Sequence, residues 1–332
     1  MVQEILPGLF RIEVPLPKNP LKALNCYVFK GSERNLIIDT GFDREECQKA
    51  LDAGLNELEI DLTKTDLFIT HLHADHSGMI HRLTTPTSKI YASEADGKTI
   101  VAAAQDLTFW DSVREYSGRS GFPVTELVNA IQRHPGFHYG AKGLFNITYI
   151  HDGDKIKVGD YLLTCIATPG HTPGIMCLYE ENHQLLLSSD HILGSITPNI
   201  SLWSDDYNPL AEYMQSLDKI AHLEVKLTLP GHRQLFGDCK PRIAELKKHH
   251  EHRIAEVENI LSTHGKMNAY QVAAHMTWDM TYKTFDEFPI PQKWFAHGEA
   301  IAHLKYLVDN GSIQQLAEGG QIYYIVNKRI IN

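Results

Sequence analysis

No C-x-x-C pair occurs in this chain, and its five cysteines (Cys26, Cys47, Cys165, Cys177 and Cys239) are odd in number and widely spaced. That excludes a disulfide-stapled scaffold and the common cysteine-based zinc modules, and it points to reduced structural thiols in a cytoplasmic setting. Nor is there a run of about 18 uninterrupted apolar residues, so no membrane partner is expected. The opening residues Met1 to Gly8 lack a basic segment followed by an apolar core, so no export leader is expected. Basic charge is scarce. Lys and Arg number 31 against 41 Asp and Glu, a formal charge of −10, which argues against a dedicated nucleic-acid binder. Tandem repeats and low-complexity segments are absent as well. What remains is ordinary globular material: 43% hydrophobic residues over 332 positions, enough for one large domain or two of usual size.

Histidine is the exception. Thr70-His71-Leu72-His73-Ala74-Asp75-His76 fills an H-x-H-x-D-H pattern. Four imidazole or carboxylate groups in so short a stretch exceed the needs of one Zn²⁺, because a tetrahedral ion takes four ligands and a catalytic one leaves a place for water. The spacing suggests ligands divided between two metals. Asp66 to Thr70 is a short apolar run, read as a buried strand. His71 and His73 stand two apart, so an extended chain points both to one side. Asp75 and His76 fall on the following turn, where Gly78 is expected to give the backbone freedom to fold ligands inward.

Three later segments repeat the theme. Thr168-Pro169-Gly170-His171 and Leu229-Pro230-Gly231-His232 each place a histidine on a tight loop after an apolar strand, and Ser188-Ser189-Asp190-His191 puts a carboxylate at a strand end. Proline sets the approach of such a loop and glycine permits its sharp turn.

The rest of the chain has a readable organisation. Residues 1–40 read as β-structure and 43–58 as a helix. Residues 94–145 break the strand rhythm. Ile100, Ala104, Leu107, Phe109 and Trp110 suggest one helix, and Val124, Leu127, Val128 and Ile131 a second, so the segment reads as a helical insertion capping the site. Strands resume near 145–150, 161–166 and 184–188. A long helical pattern over 241–264 stops at Gly265. Two shorter helices (268–276 and 294–310) and a terminal hairpin (312–316 and 321–326) complete what looks like a small winged-helix domain. The expected division is a catalytic domain at 1–240 and a C-terminal domain at 241–332.

The motif set resembles the metallo-β-lactamase superfamily, in its binuclear hydrolase branch typified by glyoxalase II, over residues 3–237. The resemblance implies an α/β (α+β) fold, an αββα sandwich of two facing β-sheets with helices outside. It implies two Zn²⁺ per chain, with Fe or Mn as alternative metals. His71, His73 and His171 would hold the first, Asp75, His76 and His232 the second. Asp190 would bridge both together with a hydroxide, and Asp39 would support the ligands from behind. Asp75 and Asp190 are thereby expected to be catalytic, with His191 a candidate for proton delivery. The C-terminal pattern resembles the lactamase-beta-like group, at the level of pattern alone.

These readings lead to a cytoplasmic binuclear zinc hydrolase whose hydroxide attacks a small thioester or acyl ester. The alternatives are a phosphodiesterase or endoribonuclease acting on nucleic acid, an N-acyl-homoserine lactonase, and a regulatory binding protein that keeps the metals. Asp190-His191-Ile192-Leu193 lacks the tyrosine that assists in lactonases. Phe109, Trp110, Tyr116, Phe122, Phe137 and Tyr139 offer an acyl lining, with packing inside the insertion as the plainer reading. His134 and His138 are further substrate contacts to weigh against simple exposure, and Trp203 to Tyr207 is a candidate pocket rim. Arg242, Lys247, Lys248 and Arg253 are interleaved with glutamates, the pattern of a solvated helix. The resemblance implies that the C-terminal domain either packs on the catalytic domain or completes a homodimer.

Overall fold

The computed structural model describes residues 1–105 and 108–327, without the side chains of Thr108 and Phe109. Leu107 and the Phe109 side chain, both named above, thus lie outside the described residues. The chain forms two compact units. The first comprises Met1–Leu107, Pro135–Pro198 and Ser216–Ile243; the second comprises Thr108–His134, Asn199–Gln215 and Ala244–Asn332. The path is therefore less linear than a single boundary at 240/241. Most of the expected insertion, and a stretch after Asp190, share a unit with the C-terminal segment.

The first unit carries two sheets. One runs β1 (Val2–Leu6), β2 (Leu9–Pro15), β3 (Ala23–Phe29), β4 (Asn35–Ile38), β5 (Thr65–Phe68), β6 (Ile90–Ser93) and β7 (Thr148–Ile150) in spatial order. Its pairing is antiparallel as far as β4 and parallel from there on. The other has the order β12 (Leu227–Pro230), β11 (Leu185–Ser189), β10 (Met176–Glu180), β9 (Tyr161–Ala167), β8 (Lys155–Val158), and only β11 and β12 pair in parallel.

Period-two alternation explains why the strands read as apolar runs. In the first sheet Ile12, Val14, Leu24, Cys26, Val28, Ile37 and Leu67 face one core, while Leu9, Tyr27, Phe29, Leu36, Ile38 and Phe68 face another. The second core is shared with Leu163, Cys165, Leu178, Leu185, Leu187 and Leu229, so the two sheets lie face to face across it. The first core is closed by the helix Glu45–Glu57, whose Cys47, Leu51, Gly54 and Leu55 recur at helical spacing and are buried. Gly54 is where helix and sheet come closest, since a Cβ there would lie 2.7 Å from the Ile12 side chain. On the outer face of the other sheet, Lys219 donates to Asp152 and to the Ala167 carbonyl, and Ser216 donates to the Pro169 carbonyl. Each fully buried aliphatic side chain contributes about 1.5–3 kcal/mol.

The second unit contains the helices Thr108–Arg119, Val124–Gln132, Ala269–His275 and Ile290–Asp309, most of Lys240–His264, and the antiparallel hairpin of β13 (Ile313–Glu318) and β14 (Gln321–Val326). Asn268 forms a capping box with Gln271. Phe122, Leu127, Ala130, Ile131 and Trp294 form its core, joined by Trp110, Trp203, Tyr270 and Phe295. The expected acyl lining is thus largely packing. Phe122 is interior, and Tyr116 is buried with its hydroxyl on Asp205. Trp203, expected at a pocket rim, stacks on Trp294 at 4.5 Å, and the His134 ring lies 5.0 Å from Trp110. Phe137 and Tyr139 belong to the first unit, the former exposed and the latter against Phe42. Arg253 is not a solvated helix residue. It is buried, pairs with Glu256 and Glu299, and lies over the Trp278 ring.

Candidate metal centre

The seven ligand candidates meet in the first unit, each from the carboxyl end of a strand or the loop after it. His71 and His73 follow β5, His171 follows β9, Asp190 follows β11 and His232 follows β12. Asp75 and His76 lie on a short helix, Ala74–Ser77, where a turn was expected. Gly78 closes this helix at φ −59°, so its conformation is ordinary and its freedom is not what the site uses. A Cβ there would meet the carbonyl oxygens of Tyr139, Ala74 and Gly41. Space, not flexibility, requires the glycine.

Three sets of ligand atoms converge: His71, His73 and His171; His71, His76 and Asp190; and Asp75, His76 and His232. Ring nitrogens face one another at 3.1 Å (His71 Nε2 to His73 Nδ1), 2.9 Å (His171 Nε2 to His73 Nδ1) and 3.3 Å (His76 Nε2 to His232 Nε2). Ligand atoms about 2.1 Å from a tetrahedral Zn²⁺ stand about 3.4 Å apart, close to these separations. Asp75 Oδ2 is 3.3 Å from His232 Nε2. Asp190 Oδ2 reaches both halves, 3.7 Å from His171 Nε2 and 3.4 Å from His232 Nε2, while its Oδ1 lies 3.6 Å from His76 Nε2. That Oδ1 is buried without a hydrogen-bond donor, which is costly unless a cation faces it.

Three of the five rings are held from behind. Asp39 Oδ2 takes His76 Nδ1 at 2.7 Å, and its two oxygens also accept from the Thr70 amide and hydroxyl. The Ala23 carbonyl accepts from His232 Nδ1 at 2.7 Å. Thr70 Oγ1 lies 3.1 Å from His71 Nδ1. These bonds fix tautomers that leave Nε2 of all three rings turned inward. Asp39 (φ 59°), Ser189 (φ 48°) and Arg233 (φ 68°) are non-glycine residues at left-handed φ beside the ligands, so the backbone is strained where it aims them.

The electrostatics would suit a cation. Burial, then neighbouring imidazoles, hold His71 well below its ordinary value and His73 at about 3, so both are neutral donors. Burial would raise the Asp75 and Asp190 carboxyls, but the histidines beside them outweigh it, bringing Asp75 to about 2 and Asp190 well below the usual range. Burial would likewise lower His76 and His232, yet the surrounding carboxylates win. His76 is raised well above its ordinary value and His232 to about 10. Without metal, protons thus supply the positive charge that the carboxylates demand.

His191 is placed differently. It is in none of the three converging sets, is fully buried, and is lowered by burial to about 3. One residue escaped the reading of the sequence. Asp96, buried in the first turn of the helix Glu94–Gln105, accepts from the Leu72 amide (2.9 Å), the Thr172 hydroxyl (2.5 Å) and the Gly174 amide (2.8 Å). Burial raises its carboxyl to about 6 against the pull of those donors. An acidic residue in a first helical turn complements the helix dipole anywhere, so no local signal marks this one.

Comparisons with known proteins agree with this geometry. The sequence profile described as "Metallo-beta-lactamase superfamily" matches residues 21–232. A human protein named "Acyl-coenzyme A thioesterase MBLAC2" is 27% identical over 244 residues, covering 69% of this chain and 80% of that protein. A Caenorhabditis elegans protein named "Beta-lactamase-like protein 2 homolog" is 22% identical and covers 89% of this chain and 81% of its own length. A metallo-beta-lactamase family protein from Thermus thermophilus superposes with a TM-score of 0.80 at 25% identity, over 98% of this chain and all of that one. A beta-lactamase domain protein from Burkholderia ambifaria gives 0.81 at 24% identity, over 98% and 93%. With the two facing sheets and the converging histidines and aspartates, the matched profile establishes that this chain belongs to the metallo-β-lactamase superfamily.

Proposed function

We propose that the protein is a binuclear zinc-dependent hydrolase of acyl thioesters, with acyl-coenzyme A compounds as the substrate class. The observation that carries the binuclear reading is Asp190, whose Oδ2 lies near a histidine of each half of the site. His71, His73 and His171 would hold one ion and Asp75, His76 and His232 the other. Zinc bound there would supply Lewis acidity and a hydroxide at near-neutral pH. Asp190 would span both positions, and Asp39 would keep His76 turned inward. Asp75 and Asp190, held ionised by the histidines beside them, would supply the negative charge that balances the ions. His191 follows Asp190 and closes its turn through its own amide on the Ser188 carbonyl, and a part in proton delivery would need its buried ring to reach the site.

The thioester preference is supported by the name of the human relative and of its chicken and bovine counterparts, at 25–27% identity. Buried, unpaired cysteines fit a cytoplasmic setting. No helix among the described residues is long and apolar enough to cross a membrane. We read the helices and hairpin of the second unit as a winged-helix-like domain. The test is metal-replete hydrolysis of acyl-CoA and glutathione thioesters, lactones, bis-p-nitrophenyl phosphate and single-stranded RNA, with Asp190→Ala as the blank. Turnover of acyl-CoA compounds that Asp190→Ala abolishes is the expected result. Dominant phosphodiester cleavage would move the protein to the nuclease reading, and full activity in Asp190→Ala would overturn the assignment of the bridge.

A further inference from the structure

Asp96 is buried, and both of its oxygens are committed. Oδ2 accepts from the Leu72 amide and the Thr172 hydroxyl, and Oδ1 accepts from the Gly174 amide. Leu72 lies between His71 and His73, and Thr172 follows His171. The three donors therefore come from the two loops that carry one trio of ligands, and none from the loops that carry Asp190 or His232. The junction is tight on both sides. The Asp96 amide donates to Ser93 Oγ at the end of β6, and a Cβ on Gly174 would collide with Ser93 Oγ, the Asp96 amide and Asp96 Oδ1. The other trio is held by different groups, Asp39 on His76 and the Ala23 carbonyl on His232.

We propose that Asp96 is a positioning residue that clamps the His71/His73 loop to the His171 loop and so sets the metal affinity of that half of the centre selectively. The inference rests on the metal-centre reading above. A carboxylate is suited to the task because all three partners are donors. Asparagine would turn an NH₂ group towards at least one N–H or O–H and could not replace it. Alanine would leave one buried and one half-buried amide without acceptors.

Zinc and cobalt(II) affinities of the full chain, measured by chelator competition, test this without any assay of turnover. Wild-type protein should bind two ions. Asp96→Ala and Asp96→Asn should keep one affinity near the wild-type value and lose on the order of 10–100-fold in the other, the range typical of groups that orient metal ligands. The cobalt(II) absorption that persists should be that of the Asp75/His76/His232 environment. Thr172→Val removes one of the three hydrogen bonds from a side chain of the same shape, and it should weaken the same ion on the order of fivefold, with Thr172→Ser restoring it. This pair decides the question should the Asp96 variants fail to fold. Two ions with unchanged affinities, or an equal loss in both, would overturn the clamp while leaving the metal centre standing. No binding by the wild type would overturn both.

Discussion

Replacing Gly78 by alanine tests whether space at the ligand helix is as limited as it looks. Gly78 has helical φ and ψ, so conformation alone favours alanine by about 1 kcal/mol. Against this, the new methyl would meet three backbone oxygens: Tyr139 O, Ala74 O at 2.5 Å and Gly41 O at 2.7 Å. None is the end of a flexible side chain, so relief requires backbone displacement. Overpacking of this kind costs about 3 kcal/mol at the upper end of its usual range. The net loss is about 2 kcal/mol, or about 4–8 °C in the melting of a unit of about 200 residues. The displacement also falls where Thr40 holds the ligand turn, through Thr40 N to His76 O and Met79 N to Thr40 Oγ1, so metal content should fall with stability. Gly118→Ala is the control. Its Cβ would meet only Leu127 Cδ1 at 3.3 Å, so the helical preference for alanine should leave it at least as stable as the wild type, by up to about 1 kcal/mol. Differential scanning fluorimetry with metal analysis reads both. A Gly78→Ala protein as stable and as metal-rich as the wild type would refute the argument from space.

Removing metal with a chelator should lower the melting temperature, and zinc at 100 times its dissociation constant should restore about 2.7 kcal/mol; a melting curve indifferent to zinc would count against the site. Arg253→Ala should destabilise by about 3 kcal/mol, because it leaves Glu256 and Glu299 without their partner, and Arg253→Lys should not rescue it fully; urea denaturation decides. The buried His250–His303 pair predicts acid sensitivity. Burial, joined for His250 by His303, His249 and Arg253, puts His250 well below 6.5 and His303 at about 4. The unfolded chain therefore binds protons that the folded one refuses. The contribution is complete above pH 6.5 and is lost as pH falls towards 4, by about 1.4 kcal/mol per pH unit per histidine. Urea midpoints of wild type and His303→Gln at pH 7.5, 6.5 and 5.5 should converge as pH falls, and parallel lines would sink this account.

Much of the site was legible because its chemistry is local. His71, His73, Asp75 and His76 lie within one short segment, and Pro-Gly-His twice marks a loop after a strand. The strands were legible where both faces are buried, as in β3, β4 and β11. Elements whose apolar residues are few or interrupted gave less: β8 reads Lys-Ile-Lys-Val, and the segment 94–139 resolves into four helices rather than two. Asp96 was invisible for a different reason. Its meaning is set by Leu72, Thr172 and Gly174, which no spacing along the chain connects. Gly78 was noticed for the wrong property, since a sequence shows that a side chain is absent but not whether the turn or the neighbours require it.

The two supporting carboxylates suggest how such a centre tolerates its own charge. Asp75, Asp190 and Asp39 are buried together, and without metal the protons held on His76 and His232 offset them. The protein does not soften this by exposing the ligands. It fixes them from behind with groups that cannot relax: a carboxylate and a backbone carbonyl on one half, a carboxylate bound to two ligand loops on the other. The ligand loops also cross-link, since the Met176 amide donates to Thr70 O, the Gly231 amide to Ser189 O and the Asn25 amide to Gly231 O. Metal entering this cluster would displace those protons, so affinity for the ions should depend as much on these ties as on the ligand candidates themselves. A substitution that spares every ligand but loosens a tie, as Thr172→Val does, should therefore be felt first in metal retention and only later in the fold.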